Sequence, residues 1–121
     1  MPAPSNLRTL KKHKAYADGL KAEQAAKAYY DAVLDQRFRS EAGEIDLVTT
    51  KNHALFGDVI IFAEVKKRKT LEEAAYSLQP KQLARIASSA ECWLAANPQH
   101  QGKTCRFDAV LMDEQGQTQL I

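Results

Sequence analysis

The stretch Val59-Ile60-Ile61-Phe62-Ala63-Glu64-Val65-Lys66 constrains this chain more than any other. So long an apolar and β-branched run reads as a central strand covered on both faces, which demands a sheet with helical layers above and below it. Side chains alternate along a strand, so Ile60, Phe62, Glu64 and Lys66 share one face, and that face turns from apolar to ionisable at its carboxyl end. A carboxylate and an ammonium at the end of a core strand are costly unless each is paired or binds a metal.

The rest of the chain supplies the layers. Ala22, Ala25, Ala26, Tyr29 and Val33 recur at three- and four-residue spacing, which predicts a helix from about Tyr16 to Val33, with Glu23 on the flank of its buried stripe. Two strands follow, over Leu34 to Arg39 and over Gly43 to Val48, and alternation puts Ile45 and Leu47 on one face with Glu44, Asp46 and Val48 on the other. The composition of Thr50 to Asp58 favours a loop. Leu71 to Gln79 suits a short helical turn, and Pro80 suits the first position of a longer helix whose stripe is Leu83, Ile86, Ala87, Ala90 and Leu94, ended by Asn97-Pro98. Cys105 to Met112 alternates as a last strand and pairs in a hairpin with the terminal Leu120-Ile121. The order helix, three strands, helix, strand gives an α/β fold, a mixed central sheet flanked by helices. A chain of 121 residues suits one such core. We place it at residues 16–121, behind a flexible basic arm of residues 1–15 that contains Lys11, Lys12 and Lys14.

With 45% hydrophobic and 26% charged residues, neither a disordered nor a fibrous chain is indicated. The formal charge of +2 does not by itself call for a polyanion, but Lys66, Lys67, Arg68 and Lys69 concentrate positive charge directly after the central strand. Cys92 and Cys105 have neither the spacing nor the histidine partners of a zinc site. No segment is long and apolar enough to span a bilayer, which leads to the expectation of a cytoplasmic protein without a membrane partner.

Taken alone, Glu64-Val65-Lys66 is a short pattern, and its plainest reading is an exposed ion pair at the point where a strand leaves the core. Asp46 shifts the balance, because a hairpin through residues 50–58 brings it opposite Glu64. Two carboxylates converging on one point repel each other unless a cation lies between them, and oxygen ligands without thiolate favour Mg²⁺ or Mn²⁺. With Lys66 to orient a water or offset developing charge, the set suits hydrolysis of a phosphodiester. Gln82, at the edge of the second helix's stripe, is placed to reach a phosphate or a metal-bound water, with a plain surface glutamine as the alternative. Arg37, Arg39, Lys67, Arg68 and Lys81 are candidates for holding a nucleic-acid backbone. Arg106 shares a strand face with Asp108, which favours a structural pair there. Trp93 reads as packing at the core edge.

The motifs Ala22-Glu23-Gln24-Ala25-Ala26, Gly43-Glu44-Ile45-Asp46-Leu47-Val48, Phe62-Ala63-Glu64-Val65-Lys66-Lys67-Arg68, Lys81-Gln82 and Arg106-Phe107-Asp108-Ala109-Val110 occur in an order that resembles the YraN-like bacterial proteins. These belong to the PD-(D/E)xK superfamily of restriction-endonuclease-like nucleases. The likeness runs from about Gly19 to Met112. It implies a restriction-endonuclease-like core and a metal-dependent endonuclease, with Asp46 and Glu64 as catalytic metal ligands, Lys66 at the attacking water and Glu23 joining the site; Val65, whose side chain faces the other way, offers at most its backbone carbonyl to the metal. It also implies DNA as partner, branched DNA by analogy with archaeal Holliday-junction resolvases, and a homodimer, without any small-molecule cofactor. The alternative is a nucleic-acid-binding module that keeps this fold without turnover. The chain departs from the family pattern in a shortened link after Tyr30, which bears on where Glu23 lies, and in a longer loop from Thr49 to Asp58, whose His53 has no counterpart.

Overall fold

A computed structural model describes the backbone from residue 7 onward. Helix α1 spans Leu7–Ala26 and is followed by a 3-10 turn over Lys27–Tyr29. Three strands come next, β1 (Ala32–Ser40), β2 (Gly43–His53) and β3 (Gly57–Lys67), then a short helix α2 (Leu71–Tyr76) and the long α3 (Pro80–Ala96). Strands β4 (Cys105–Met112) and β5 (Thr118–Leu120) end the chain. The sheet has five strands in the order β1-β2-β3-β4-β5. It is mixed, since β3 and β4 run parallel while the other neighbours are antiparallel. This is the expected α/β arrangement with a restriction-endonuclease-like core, and β3 is the central strand.

Two apolar layers form on the two faces of β3. Ile61 and Ala63 join Leu47, Val110 and Met112 under Ala22 and Ala26 of α1, with Val65 packed alongside. Ile60 and Phe62 join Ile45 and Val48 under Ile86 and Trp93 of α3. Trp93 is only 2% exposed, deep in the core rather than at its edge. It stacks edge-on against Phe62 and its indole N–H donates to Asp35 Oδ2 at 3.1 Å.

Several sequence expectations are corrected. Helix α1 starts at Leu7, so residues 7–15, read above as arm, are helical in backbone; residues 1–6 lie outside the described residues, as do the side chains of Lys11 and Lys12. The stretch from Leu7 to Tyr16 contains no glycine or proline, and a helix continues there without an apolar stripe of its own in the sequence. At its other end the helix stops at Ala26, because Ala32 and Val33 are taken into β1 by pairing with Thr50 and Thr49. The stripe that it buries is therefore Ala22, Glu23 and Ala26, continued by Tyr30 beyond the helix, while Ala25 and Tyr29 are exposed. Residues 50–53 and 57–58 are strand rather than loop, with Lys51, Asn52 and His53 paired to Val59, Asp58 and Gly57. The connection shrinks to residues 54–56, and Gly57 closes it at a φ of 68°, a left-handed value that glycine adopts without steric penalty. On α3 the buried positions are Ile86, Ser89 and Trp93, whereas Leu83 is 41% exposed.

Candidate functional site

The site forms where two strands part. The β2–β3 ladder ends at the pair Leu47–Ala63, so Asp46 and Glu64 are the first residues past the last rung. Instead of a strand carbonyl, the Asp46 carboxylate accepts the Val65 backbone N–H, at 2.8 Å to Oδ2. That bond holds the Asp46 side chain beside the end of β3.

The faces of β2 also change here. Ile45 packs in the α3 layer and Leu47 in the α1 layer, although simple alternation puts both on one face. The β1–β2 register runs unbroken past this point, Gln36 facing Leu47 and Phe38 facing Ile45. The change coincides with Arg37, which lies between those two pairs and has a φ of 50°. Among the described residues it is the one non-glycine with positive φ, a conformation that L-residues with a long side chain rarely hold unless the surroundings fix it.

Asp46, Glu64, Val65 and Lys66 line a pocket of about 400 Å³, together with Glu23, Asp18 and Gly19 of α1 and with Lys67, Arg68 and Glu114. Glu64 is 6% exposed. Its Oε1 accepts a 2.9 Å hydrogen bond from Gln82 Nε2 and lies 3.3 Å from Lys66 Nζ. The Glu64 and Lys66 side chains are only 7% and 16% exposed, so an exposed surface pair is excluded. Burial pushes the Glu64 carboxyl up to about 8, with the Asp46 charge adding to the shift and Lys66 opposing it. Asp46 is raised too, by burial, against the Val65 N–H and the Lys66 charge. Burial and the Asp46 charge together favour the protonated form of Glu64 when no cation is present.

Glu23 enters the same pocket despite the short link after Tyr30, and is 8% exposed. Burial raises its pKa, Asp46 adds to the rise, and Arg37 counters it. Its carboxylate is engaged by the Arg37 guanidinium, Nε to Oε2 at 3.1 Å and Nη2 to Oε1 at 3.2 Å. Arg37 Nη1 also lies 3.8 Å from Glu44 Oε1. Sequence reading gave Arg37 only a generic place among the basic residues; its left-handed backbone and its pairing across to α1 leave no local signal. Of the other cations, Lys67 and Arg68 reach the pocket wall. Arg39 is instead paired with Glu44 at 3.2 Å, and Lys81 is exposed on the first turn of α3, outside the pocket lining. Asp108 is structural, as expected: it accepts from Arg106 Nε at 2.8 Å and from the Tyr30 hydroxyl at 2.9 Å.

Among the described residues no three of the His, Cys, Asp and Glu side chains gather as a ready-made metal cage. A buried and a half-buried carboxylate with a backbone carbonyl at Val65 do not fit a structural zinc site, but they do fit Mg²⁺, which typically takes one or two carboxylates and completes its shell with water and substrate phosphate. An apolar groove of about 390 Å³ lies elsewhere, between α3 and the start of β4, lined by Phe62, Leu83, Leu94 and Phe107 among others. It has no converging carboxylates, and Glu91 is the one acid in its lining.

Fold and pocket together define a restriction-endonuclease-like α/β protein with a paired-carboxylate and lysine cleft at the end of its central strand. The chain belongs to the family described as Uncharacterised protein family UPF0102, whose model matches residues 22–112. It is similar to a UPF0102 protein of Rhodopseudomonas palustris (strain HaA2), 43% identical over 102 residues that make up 81% of this chain and 76% of the relative. It is also similar to one of Azorhizobium caulinodans, 40% identical over 119 residues, 95% of this chain and 87% of the relative. This is the family that the sequence motifs resembled. Among the described residues no helix is long and apolar enough to cross a membrane.

Proposed function

We propose that the protein is a metal-dependent endonuclease that hydrolyses phosphodiester bonds of nucleic acid, DNA in the first instance and branched DNA by analogy. The observation that carries this reading is the convergence of Asp46 and Glu64, from adjacent strands, on one pocket that Lys66 also enters. Two acids so placed, one of them pushed up to about 8, form a site that a divalent cation would relieve.

Asp46, Glu64 and the Val65 carbonyl would hold Mg²⁺ or Mn²⁺. When bound, such a cation polarises the phosphate and neutralises charge on its oxygens. The chain's own groups do the remainder. Lys66 orients the attacking water and offsets the negative charge that develops on the phosphate. Gln82 holds one oxygen of the Glu64 carboxylate and so restricts its orientation. Glu23, tied to Arg37, contributes peripherally as an acid at the pocket wall. Lys67 and Arg68 hold the strand's backbone without reading sequence, with Lys81 and Arg39 as outlying contacts.

The test is incubation with Mg²⁺ or Mn²⁺ and a panel of linear, flapped and four-way DNA. We expect cleavage of at least one substrate, abolished in Glu64→Ala and in Lys66→Ala. Equal cleavage by both variants would overturn the assignment of the site. Salt-sensitive binding without cleavage under any metal would leave a nucleic-acid-binding module instead.

A further inference from the structure

On the far side of Glu23 from the acidic pocket lies a second, smaller cavity of about 190 Å³, lined by Leu20, Glu23, Gln24, Lys27, Gln36 and Arg37. Its chemistry is the reverse of its neighbour's. Two cations and two carboxamides face a single acid, and that acid already has both oxygens bonded to Arg37. The guanidinium has five N–H groups and spends two of them on Glu23. Glu44, at 3.8 Å, is near enough for charge attraction but beyond hydrogen-bond length. Three N–H donors therefore have no hydrogen-bond partner among the described residues.

Several contacts hold these groups in place. The Tyr16 ring lies 5.2 Å from the Arg37 guanidinium carbon, so the cation is stacked as well as paired. Lys27 Nζ is held by Gln24 Oε1 at 2.9 Å. The left-handed backbone at Arg37, φ 50°, falls at the residue whose side chain joins the two cavities through Glu23. Backbone strain of this kind persists where neighbouring contacts hold it, and it clusters at ligand clamps. A guanidinium with free donors, an ammonium beside it and two amides match a phosphate oxygen set.

We propose that this cavity is a second phosphate subsite, in which Arg37 and Lys27 hold the phosphate adjoining the one at Asp46 and Glu64 on the same nucleic-acid strand. The inference rests on the phosphodiester reading of the acidic pocket and adds to it where the strand runs: past Glu23, along the junction of α1 and β1. Glu23 then acts as the partition between the two subsites, and its pairing with Arg37 keeps its own charge from repelling either phosphate.

The experiment is fluorescence anisotropy with a labelled single-stranded oligonucleotide in EDTA, across a series of salt concentrations, on the full chain. Arg37→Asn is the main variant, because asparagine tolerates a left-handed backbone and so preserves the turn. Lys27→Gln is the second, and Lys103→Gln, which precedes β4 at the opposite end of β3, is the control for net charge. We expect both cavity variants to weaken binding and to flatten the slope of log K against log salt by about 0.7 each, the value for one lost single-strand phosphate contact, with the control unchanged. Mn²⁺ affinity at the acidic pocket, measured by calorimetry, should be unaffected by Lys27→Gln. Wild-type binding with unchanged slopes in both variants would overturn the subsite and leave the nuclease reading standing. No binding by the wild type even at low salt would likewise overturn the subsite, whereas the nuclease reading stands or falls on the metal-dependent cleavage panel.

Discussion

Gln82 Nε2 donates a 2.9 Å hydrogen bond to Glu64 Oε1, and the same oxygen lies 3.3 Å from Lys66 Nζ. Helix α3 thus reaches down to the end of β3 and fixes the orientation of its carboxylate from above while Lys66 approaches along the strand. One oxygen meets both donors, and on the proposed reading Oε2 is the oxygen that would face a cation. Removal of a hydrogen-bond partner of a metal-ligating group usually lowers metal affinity about 10- to 100-fold. Gln82→Leu should therefore weaken Mn²⁺ binding by that order in a calorimetric titration while thermal unfolding changes little. Unaltered affinity would make Gln82 a bystander.

The raised carboxyls have a consequence for pH. Glu64 titrates at about 8 in the folded chain against 4.5 as its ordinary value, so between those limits the folded state binds the proton more tightly than the unfolded one. The stabilisation is complete below about 4.5 and is lost as pH rises through 8. Asp46 and Glu23 are shifted in the same direction and add to the slope. Metal-free protein should lose stability to urea as pH goes from about 5 to 8, and Glu64→Gln should flatten that profile. Mn²⁺ affinity should rise over the same window, because the bound cation displaces the proton. A flat wild-type profile would contradict the raised Glu64 carboxyl and its repulsion by Asp46.

Asp46, Glu64 and Lys66 were legible in the sequence because the apolar run of β3 fixes its face and leaves Glu64 and Lys66 as its ionisable end, with Asp46 one hairpin away. What escaped sequence reading depends on groups far along the chain. The pairing of Lys51, Asn52 and His53 into β2 comes from the opposing strand, since those residues carry little strand preference of their own. Gln82 is a sequence candidate for a phosphate or a metal-bound water, but its actual partner, the Glu64 carboxyl, comes into view only once β3 lies beneath it. The change of face between Ile45 and Leu47 cannot be read from an alternating pattern, and it coincides with the left-handed backbone at Arg37 on the neighbouring strand, which has no local signal either.

Asp108 provides a contrast, a buried acid with no part in the pocket. It is 6% exposed and accepts from Arg106 through both oxygens, at 2.8 and 3.1 Å, as well as from the Tyr30 hydroxyl. Tyr30 is pushed up by burial and by the Asp108 charge, so its hydroxyl keeps its proton and remains a donor. Asp108→Ala strands the buried hydroxyl, a loss of about 1 to 3 kcal/mol. Urea unfolding followed by the fluorescence of Trp93, the one tryptophan in the chain, should show that loss, with Mn²⁺ affinity unchanged. A fall in metal affinity at intact stability would place Asp108 in the site after all.

Arg37 separates backbone strain from side-chain pairing. A residue with a β-carbon in the left-handed region is penalised by about 1 to 2 kcal/mol relative to a conformation it prefers, and glycine largely escapes the penalty. Arg37→Ala and Arg37→Gly both delete the guanidinium and so lose the contacts to Glu23 and Tyr16 equally. Only the backbone term differs between them. At a φ of 50° the glycine variant should therefore be the more stable of the two by about 1 kcal/mol in urea unfolding, even though glycine is ordinarily the poorer choice in a strand. Equal stabilities, or alanine ahead, would mean that the strand relaxes out of the left-handed turn once the Glu23 contact is gone, and that the ion pair rather than the surrounding sheet holds the turn in place.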